Sequence, residues 1–470
     1  MNLALPIAEL EAWIEETLRA SGAPGGAVLL ERNGEPLLAR GFGHRDAEAS
    51  LPAEVDTVFG VGSITKSFTA LAILLLEEDG KLSTTDAVTS HLPDLRLPGS
   101  AEATITLHHL LTHTAGLPPL PSRHYAWLSQ DDLEPFERER LARLAPRPPI
   151  RSFDELIAFL GDHAFELHAA PGAQFSYSNE GYNLLGAIVE RGSGQTFPEF
   201  VRERILAPCG MTRSSLDLRF TLSLPNVTRL YVREGGEVVA STNWFNPVCW
   251  AAAGGLRSTA PDLARFFRML AGGGLIGGVR VAAPETIAKM TTAHAPSWNG
   301  SCYGYGVTRS DLHGHVLVQH GGGHKGVAAM AGCAQADGLV CVVLTNFGEA
   351  PPSKIWAGCM RTALGLPLGP LFEAPEPIIL PAEALRSFVG VYRSSEGADL
   401  EVSVDEGGAL VVSGGGLSGP AQPIADDAIR YTVAGETVTV RFFRLAGDGF
   451  SHAFTGGRLV KRATAPAPAG

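Results

Sequence analysis

The feature of the sequence that most constrains the fold is a glycine-containing turn, Gly60–Gly62, that leads into an almost entirely apolar segment. Hydrophobic residues follow one another through residues 68–76, and the run ends at Asp79-Gly80. A helix that is apolar on nearly every face must lie inside the protein, and a glycine just past the last turn is a usual C-terminal signal. The segment therefore predicts a buried helix around which the other elements pack.

Ser63 and Lys66 stand at the head of this predicted helix. They are three residues apart, so both side chains lie on one face of the first turn. Burial disfavours the charged form of a lysine, and a neutral amine can take a proton from a serine hydroxyl. The unpaired N–H groups of a helix N-terminus also suit an oxyanion. The arrangement predicts that Ser63 is a nucleophile.

Two other interpretations of this stretch compete with a nucleophile. A serine followed three residues later by a lysine is frequent by chance in a long chain, so the pair alone is weak evidence. The spacing from Gly60 to Lys66-Ser67 also approaches that of a phosphate-binding loop. That loop needs a second glycine where this sequence has Thr65, whose side chain would obstruct the phosphate cradle. We therefore favour the nucleophile.

Length and composition fit a soluble enzyme of two or three domains. The chain has 470 residues, of which 45% are hydrophobic and 18% charged. The formal net charge of −12 argues against nucleic acid or an anionic membrane as the main partner. Because no apolar run is long enough to span a bilayer and no secretion signal is visible, we expect a cytoplasmic protein. The six cysteines form no Cys-x-x-Cys pair and are predicted to be mostly buried free thiols.

The order of the predicted elements indicates an α+β domain. Residues 7–18 show helical spacing of apolar residues, and two apolar runs flank the hairpin signal Asn33-Gly34. The middle of the chain is mostly helical. Later strands are predicted at 304–308, 315–320, 327–333 and 340–345, followed by a helix at 354–364. We expect an antiparallel sheet that joins the N-terminal and late strands, flanked by helices, with the middle forming a helical lobe.

Two parts of the middle deserve a functional interpretation. His109 and His113 are spaced as one helical turn, as metal ligands can be, but no glutamate follows His109 in the zinc-protease manner. Structural helix histidines are the favoured interpretation. Residues 118–150 are rich in proline, arginine and acidic residues, which predicts a surface insertion or a flap over a cleft.

Two further motifs follow along the chain. Tyr177 and Asn179 are two residues apart in a loop before a predicted helix at 182–190, so both can face one pocket. The alternative is a surface tyrosine with Asn179 capping the helix, and the residues leave both open. Near a predicted strand stands His320-Gly321-Gly322-Gly323, where glycines let a ligand approach the backbone. No helix follows, so a phosphate loop is a poor interpretation there.

The last fifth of the chain has a different pattern. Five prolines in residues 364–382 predict an interdomain linker. Short alternating segments with glycine turns, at 388–393, 399–404, 409–412, 429–433, 437–443 and 450–455, then predict a small antiparallel sheet or barrel. The boundaries we predict are a catalytic domain at 1–366, a linker at 367–382, a β domain at 383–463 and a disordered tail at 464–470. We expect the β domain to modify access or assembly without supplying chemistry.

Three motifs, taken in their order along the chain, resemble those of the serine β-lactamase-like superfamily. They are Ser63-Ile64-Thr65-Lys66, Tyr177-Ser178-Asn179 and His320-Gly321-Gly322. This superfamily includes class C β-lactamases, penicillin-binding DD-peptidases, D-aminopeptidases and family VIII esterases. Residues 57–59, 110–117 and 254–259 look similar as well, so the resemblance covers roughly residues 7–365. Any one motif is weak, whereas the ordered set is specific. By position and strand pattern, the C-terminal segment resembles the lipocalin-like domain of some relatives.

The resemblance implies a β-lactamase/transpeptidase-like fold and a role for each motif. Ser63 would be acylated, and Lys66 and Tyr177 would carry the proton from Ser63 to the leaving group. The backbone N–H groups of Ser63 and Gly323 would form an oxyanion hole. The substrate would contact three residues: Asn179, His320 and Gly322. No metal or organic cofactor is implied.

One departure bears on the substrate. Many relatives have a lysine where this chain has His320, which is largely neutral at pH 7. We therefore expect a serine hydrolase that cleaves a small amide, of the D-aminopeptidase type, ahead of a family VIII-like carboxylesterase or a weak β-lactamase. A catalytically retired binding protein is disfavoured because Lys66 and Tyr177 are both present. The expected partners are a small peptide, amide or ester substrate and further copies of this chain.

Overall fold

The computed structural model describes residues 6–97, 104–142, 147–373, 375–396, 399–414, 417–433, 436–447 and 449–463. A nine-stranded antiparallel sheet is the centre of the larger part, with strand order β10-β11-β12-β13-β14-β15-β1-β2-β3. Its strands are β1 Gly25–Arg32, β2 Glu35–Asp46, β3 Leu51–Pro52, β10 Ala295–Pro296, β11 Cys302–Tyr303, β12 Thr308–Leu312, β13 His315–His324, β14 Val327–Ala334 and β15 Leu339–Thr345. N-terminal β1 pairs with the late strand β15, from Gly26 opposite Thr345 to Arg32 opposite Leu339. The predicted joining of early and late strands is confirmed.

Helices cover both faces of this sheet. The buried side chains of β15 alternate between two apolar clusters, one containing Val342 and the central helix, the other containing Val343 and the first and last helices of this part. The α-helices before the C-terminal strands are α1 Ile7–Ser21, α2 Thr65–Glu78, α3 Val88–His91, α4 Leu107–Leu111, α5 Ser122–Trp127, α6 Pro135–Ala142, α7 Phe153–Asp162, α8 Asn179–Ser193, α9 Phe197–Val201, α10 Ala207–Cys209, α11 Leu218–Ser223, α12 Ala251–Gly254, α13 Ala260–Ala271, α14 Pro284–Thr291 and α15 Pro352–Ala363. The remaining strands of this part form three small pairs: β4 Phe59–Gly60 with β7 Arg257–Ser258, β5 Leu230–Glu234 with β6 Glu237–Ser241, and β8 Leu275–Ile276 with β9 Val279–Arg280.

The central helix α2 is buried as predicted. Twelve of its fourteen residues are buried, and Phe68 stacks on Phe266 of α13 with ring centroids 4.0 Å apart. A 3₁₀ turn, Gly62–Ile64, precedes α2. Gly62 has φ +51, a backbone conformation that favours glycine. The turn therefore changes the chain direction just before the helix and places Ser63 at its head.

The C-terminal part is a closed eight-stranded antiparallel barrel. A short helix, α16 Ala382–Phe388, precedes it. Its strands are β16 Gly390–Arg393, β17 Leu400–Val404, β18 Leu410–Gly414, β19 Leu417–Ala425, β20 Ala428–Val433, β21 Glu436–Phe443, β22 His452–Thr455 and β23 Arg458–Arg462. Each strand pairs with the next along the chain, and β16 pairs with β23 to close the barrel. The predicted small β domain is confirmed as a barrel.

Several elements differ from the sequence prediction. The predicted strand 304–308 is wrong, because Gly306 takes φ +69 and separates β11 from β12. Strands β19 and β23 were not predicted, and in β19 two prolines, Pro420 and Pro423, and a glycine interrupt the alternating pattern. The predicted tail at 464–470 lies outside the described residues.

The predicted flap at 118–150 is also different. Its described residues form α5 and α6, and Tyr125, Trp127, Leu133 and Leu141 are buried in the main apolar cluster. This segment is a packed part of the helical lobe, because these apolar side chains face inward.

Candidate active site

The three motifs meet at the head of α2. Lys66 is fully buried, and its Nζ atom lies 3.1 Å from Ser63 Oγ, 2.9 Å from Asn179 Oδ1 and 2.6 Å from the carbonyl oxygen of Ala253. The amide and carbonyl oxygens can only accept. They therefore use two N–H bonds of the amine, and in a neutral lysine the remaining lone pair is available to the Ser63 hydroxyl.

The electrostatics of Lys66 favour that neutral form. Burial, first of all, lowers the pKa of Lys66 well below its ordinary value, and the guanidinium of Arg458 lowers it further. Glu180 and Glu396 act in the opposite direction. A neutral amine beside a half-buried serine hydroxyl is the arrangement that general-base activation of a nucleophile requires.

Tyr177 lies beside both Ser63 and Lys66. The centroid of its ring is 4.8 Å from Lys66 Nζ. Burial raises the pKa of the Tyr177 phenol, while a hydrogen bond with Ser63 lowers it. The phenol therefore keeps its proton at neutral pH and can donate it. Ser178, not Asn179, caps helix α8 by accepting from the N–H of Gly181 at 3.1 Å.

The alternative in which Asn179 caps the helix is thereby wrong. Asn179 is the first residue of α8, and its side-chain oxygen is bound to Lys66. A second asparagine, Asn183, accepts from the backbone N–H of Ala253 at 3.0 Å. It thus fixes the carbonyl that binds Lys66, one turn further along the same helix.

His320 is in the site but does not contact Ser63 through any hydrogen bond of the described residues. Its Nδ1 lies 2.5 Å from the Gly321 carbonyl, which can only accept, so Nδ1 carries the proton. Nε2 therefore accepts from the Tyr303 hydroxyl at 2.8 Å. Burial lowers the pKa of His320 to about 3, with a contribution from Lys66. The imidazole is neutral at pH 7.

The glycines after His320 pack against the nucleophile turn. A Cβ atom on Gly322 would lie 1.9 Å from the carbonyl oxygen of Val61 and 2.9 Å from the backbone nitrogen of Ser63. A Cβ on Gly62 would lie 2.6 Å from the nitrogen of Gly323. The backbone of β13 can approach Ser63 this closely only because these residues have no side chain. Such proximity is compatible with the predicted pair of oxyanion donors, Ser63 and Gly323.

The two histidines considered as metal ligands are held by other contacts. Helix α4 ends at Leu111, so they are not one turn apart on one helix as predicted. His109 Nδ1 accepts from the N–H of Thr106 at 3.2 Å and completes the capping box that Thr106 forms at the start of that helix. His113 has φ +58, and its Nδ1 accepts from the N–H of Ser178 at 3.0 Å. His113 thus supports the loop that carries Tyr177, and the ring centroids of the two residues are 4.2 Å apart.

The C-terminal barrel, which we expected to modify access or assembly without supplying chemistry, contacts the Tyr177 loop directly. The backbone N–H of Tyr177 donates to the Gly457 carbonyl at 2.9 Å, in the turn between β22 and β23. The next residue, Arg458, has its Cζ atom 4.9 Å from the centroid of the Tyr177 ring. Three more residues that the sequence did not single out line the site: Tyr303, Glu180 and Glu396. Only their positions in space identify them.

Ser63, Lys66 and Tyr177 thus lie together between the antiparallel sheet and the helical lobe. The Beta-lactamase family profile matches residues 10–356. The chain belongs to this family. No helix in the described ranges is long and apolar enough to cross a membrane.

The relatives share different portions of the chain. It is 32% identical over 208 residues to "Protein flp" of Staphylococcus aureus, which covers 44% of this chain and 38% of that protein. It is 27% identical over 378 residues to a D-aminopeptidase of Gluconobacter oxydans, with 79% and 65% covered. The chain therefore spans less than two thirds of each of these curated relatives.

The similarity to solved structures extends nearly from end to end of the chain. The octameric penicillin-binding protein homologue from Pyrococcus abyssi superposes with a TM-score of 0.68 at 28% identity and covers 97% of this chain and 100% of its own. The similarity therefore includes the C-terminal barrel as well as the domain with the three motifs.

Proposed function

We propose that this protein is a serine hydrolase that cleaves a small amide through an acyl-enzyme, in the manner of a D-aminopeptidase. The observation that carries the proposal is the distance of 3.1 Å between Lys66 Nζ and Ser63 Oγ, with the other two contacts of Nζ made by acceptors. The two acceptors already satisfy the buried lysine, so the fold does not require a serine beside it. Acyl transfer does require a nucleophile next to such a base.

In the proposed reaction, Lys66 takes the Ser63 proton while Oγ attacks the substrate carbonyl carbon. The backbone N–H groups of Ser63 and Gly323 would stabilise the oxyanion of the tetrahedral intermediate. When the carbon–nitrogen bond breaks, Tyr177 donates its hydroxyl proton to the leaving amine and regains one from the Lys66 ammonium. Water then attacks the acyl-Ser63 ester by the same relay and releases the acid.

The amide preference is supported by the electrostatics around the site. His320 is neutral at pH 7 because burial lowers its pKa to about 3, so β13 offers no fixed cation at this position to a substrate carboxylate. The charge of Arg458 is balanced by Glu396, whose Oε2 lies 3.1 Å from Arg458 Nε. We therefore expect recognition of a terminal carboxylate to be weak, which favours aminopeptidase or amidase work. The D-aminopeptidase relative supports the same choice.

The test compares substrates on one preparation of the full chain. D-alanine p-nitroanilide, its L enantiomer, p-nitrophenyl acetate and a chromogenic cephalosporin are assayed with wild type, Ser63→Ala and the exposed-serine control Ser90→Ala. We expect the D-anilide to have a higher kcat/KM than the L-anilide and than the cephalosporin. Turnover should be lost in Ser63→Ala and kept in Ser90→Ala. Faster cephalosporin cleavage would make the protein a lactamase, and ester cleavage without amide cleavage would make it an esterase. Full activity in Ser63→Ala would refute the nucleophile.

Assembly is a further part of the proposal. The Pyrococcus abyssi homologue, which this chain matches over its whole length, is octameric. We expect more than one copy of this chain per particle, and light scattering after size exclusion measures the number. A single copy at micromolar concentration would contradict this part alone.

A further inference from the structure

The turn between barrel strands β22 and β23 is held against the loop that carries Tyr177. The Tyr177 N–H donates to the Gly457 carbonyl at 2.9 Å, and the Leu459 N–H donates to Ser176 Oγ at 3.3 Å. Beyond it, His168 Nδ1 lies 2.8 Å from the Leu459 carbonyl. These backbone contacts on both sides leave Arg458 a fixed place beside the phenol.

Arg458 forms an ion pair with Glu396 and also lies against the ring of Tyr177. Its Nε donates to Glu396 Oε2 at 3.1 Å, and the second nitrogen is 3.4 Å from Oε1. Its Cζ atom is 4.9 Å from the centroid of the Tyr177 ring. Lys66 Nζ lies at nearly the same distance, 4.8 Å, from that centroid. The ion pair is mostly buried, with exposed side-chain fractions of 17% and 20%. A charge so placed acts through protein rather than through water.

We propose that Arg458 of the barrel supplies the fixed positive charge that biases proton transfer among Ser63, Lys66 and Tyr177, and that Glu396 sets the strength of that charge. Arg458 is a positioning residue: it acts on Lys66 and Tyr177 and not on the substrate. The inference rests on the proposed function, and it explains how a site with a neutral histidine at 320 still contains a permanent cation.

Other titratable groups also act on Lys66. Glu180, at the start of α8, accepts from Ser178 Oγ at 3.1 Å and from Ser122, and burial raises its pKa, which weakens its influence on Lys66. Arg123 on α5 opposes it and is the weakest of the charges on Lys66. The remaining titratable neighbours are uncharged at neutral pH: Tyr177, Tyr182, His113 and His320. The largest charge effect on Lys66 therefore comes from the barrel.

The two barrel residues act with opposite sign. The charge of Arg458 lowers the pKa of Lys66, after burial, and that of Glu396 raises it. Since the neutral amine is the base, the reaction rate falls as pH decreases through the Lys66 pKa. Removing the cation must move this acid limb to higher pH, and removing the anion must move it to lower pH. If the ion pair had only a structural role, the acid limb would stay at the wild-type pH in both variants.

The experiment measures the rate at which a fluorophosphonate labels Ser63 in the full chain as a function of pH, with labelled peptides identified by mass spectrometry. The probe carries no carboxylate, so binding of an anionic substrate does not enter the result. We expect Arg458→Met to move the acid limb up by about 0.5–1 pH unit and Glu396→Gln to move it down. Arg458→Lys, which keeps the charge, should restore most of the wild-type profile.

Arg444→Met is the matched control. Arg444 is an exposed barrel arginine whose Cζ atom is 4.4 Å from the centroid of the Phe450 ring. The substitution Arg444→Met removes the same charge and a similar stacking contact, and we expect it to leave the acid limb unshifted. If Arg458→Met does not fold, Glu396→Gln and Arg458→Lys decide the question. Unchanged limbs, or shifts in the same direction, in a protein that labels at Ser63 would overturn the inference, whereas no labelling of wild type would overturn the proposed function first.

Discussion

Lys66 Nζ lies 3.1 Å from Ser63 Oγ, although the two residues belong to different helical segments. Ser63 is in the 3₁₀ turn Gly62–Ile64, and Lys66 is in the first turn of α2. Thr65 joins the segments, because its hydroxyl donates to the Gly62 carbonyl at 2.6 Å and accepts from the Leu256 N–H at 3.1 Å. The threonine that argued against a phosphate loop thus stabilises the turn of the nucleophile.

The Tyr177 hydroxyl is expected to carry the proton to the leaving group. Tyr177→Phe removes only that oxygen, so we predict a fall in kcat of about 10²–10⁴-fold, the usual contribution of a positioned acid or base. The control is Tyr392→Phe in the barrel, whose hydroxyl donates to the Phe388 carbonyl at 3.0 Å. It should leave kcat within a few-fold of wild type. Steady-state kinetics with equal rates in both variants would show that Tyr177 has only a packing role.

The close approach of β13 to the nucleophile turn predicts different effects for two neighbouring glycines. A Cβ on Gly322 would lie 1.9 Å from the Val61 carbonyl oxygen, whereas one on Gly321 meets nothing closer than Met330 Sδ at 3.4 Å. Gly322→Ala must push the strand away from Ser63, and we expect a loss of about 10²-fold in kcat/KM. Gly321→Ala should lose much less. Comparable losses in the two variants would contradict the proposed oxyanion geometry.

Lys325 is predicted to stabilise the helical lobe. Its Nζ atom lies 2.6 Å from Glu134 Oε2 and 2.5 Å from Glu137 Oε1, and it donates to Asn243 Oδ1. Lys325→Met would leave buried carboxylates without this cation, and we expect the free energy of unfolding to fall by about 3–5 kcal/mol. Lys461→Met removes an exposed pair with Glu166 and should lower the free energy of unfolding far less, because water screens the two charges. Chemical denaturation measures both, and equal values would refute the difference.

Buried neutral histidines predict that the fold loses stability in mild acid. His113 and His320 are 1% and 4% exposed, and burial lowers the pKa of each below its ordinary value of about 6.5. Below that value the unfolded chain binds protons that the folded protein does not, so the free energy of unfolding decreases as pH falls from about 6.5 towards the folded pKa. The loss approaches about 1.4 kcal/mol per pH unit for each such histidine.

A single substitution checks this dependence. His320→Gln removes one of these groups, so its unfolding free energy should fall less steeply than that of wild type between pH 6 and about pH 4. The control His44→Gln removes an exposed histidine and leaves His113 and His320 in place, so His320→Gln should have the smaller slope of the two variants. Denaturation curves across this range decide the matter, and an unchanged slope in His320→Gln would contradict the prediction.

The sequence by itself determined the central helix, the order of the main strands and the three motifs. The unbroken apolar run of α2 can only be buried, and the spacing of Ser63 and Lys66 brings their side chains together within one turn. These are local properties, set by helical periodicity over a few residues. The barrel was predictable as β structure for the same reason, although β19 was obscured by its prolines.

Only the tertiary structure decided which distant residues complete the site. The Ala253 carbonyl accepts from Lys66, and Asn183 holds Ala253 in place. The Tyr303 hydroxyl donates to His320, and the barrel places Arg458 beside Tyr177. None of these contacts follows from a spacing along the chain, because each joins residues that meet only after the sheet, the helical lobe and the barrel have packed. The pKa of Lys66 is likewise a tertiary property, since burial and charges from a separate part of the chain set it.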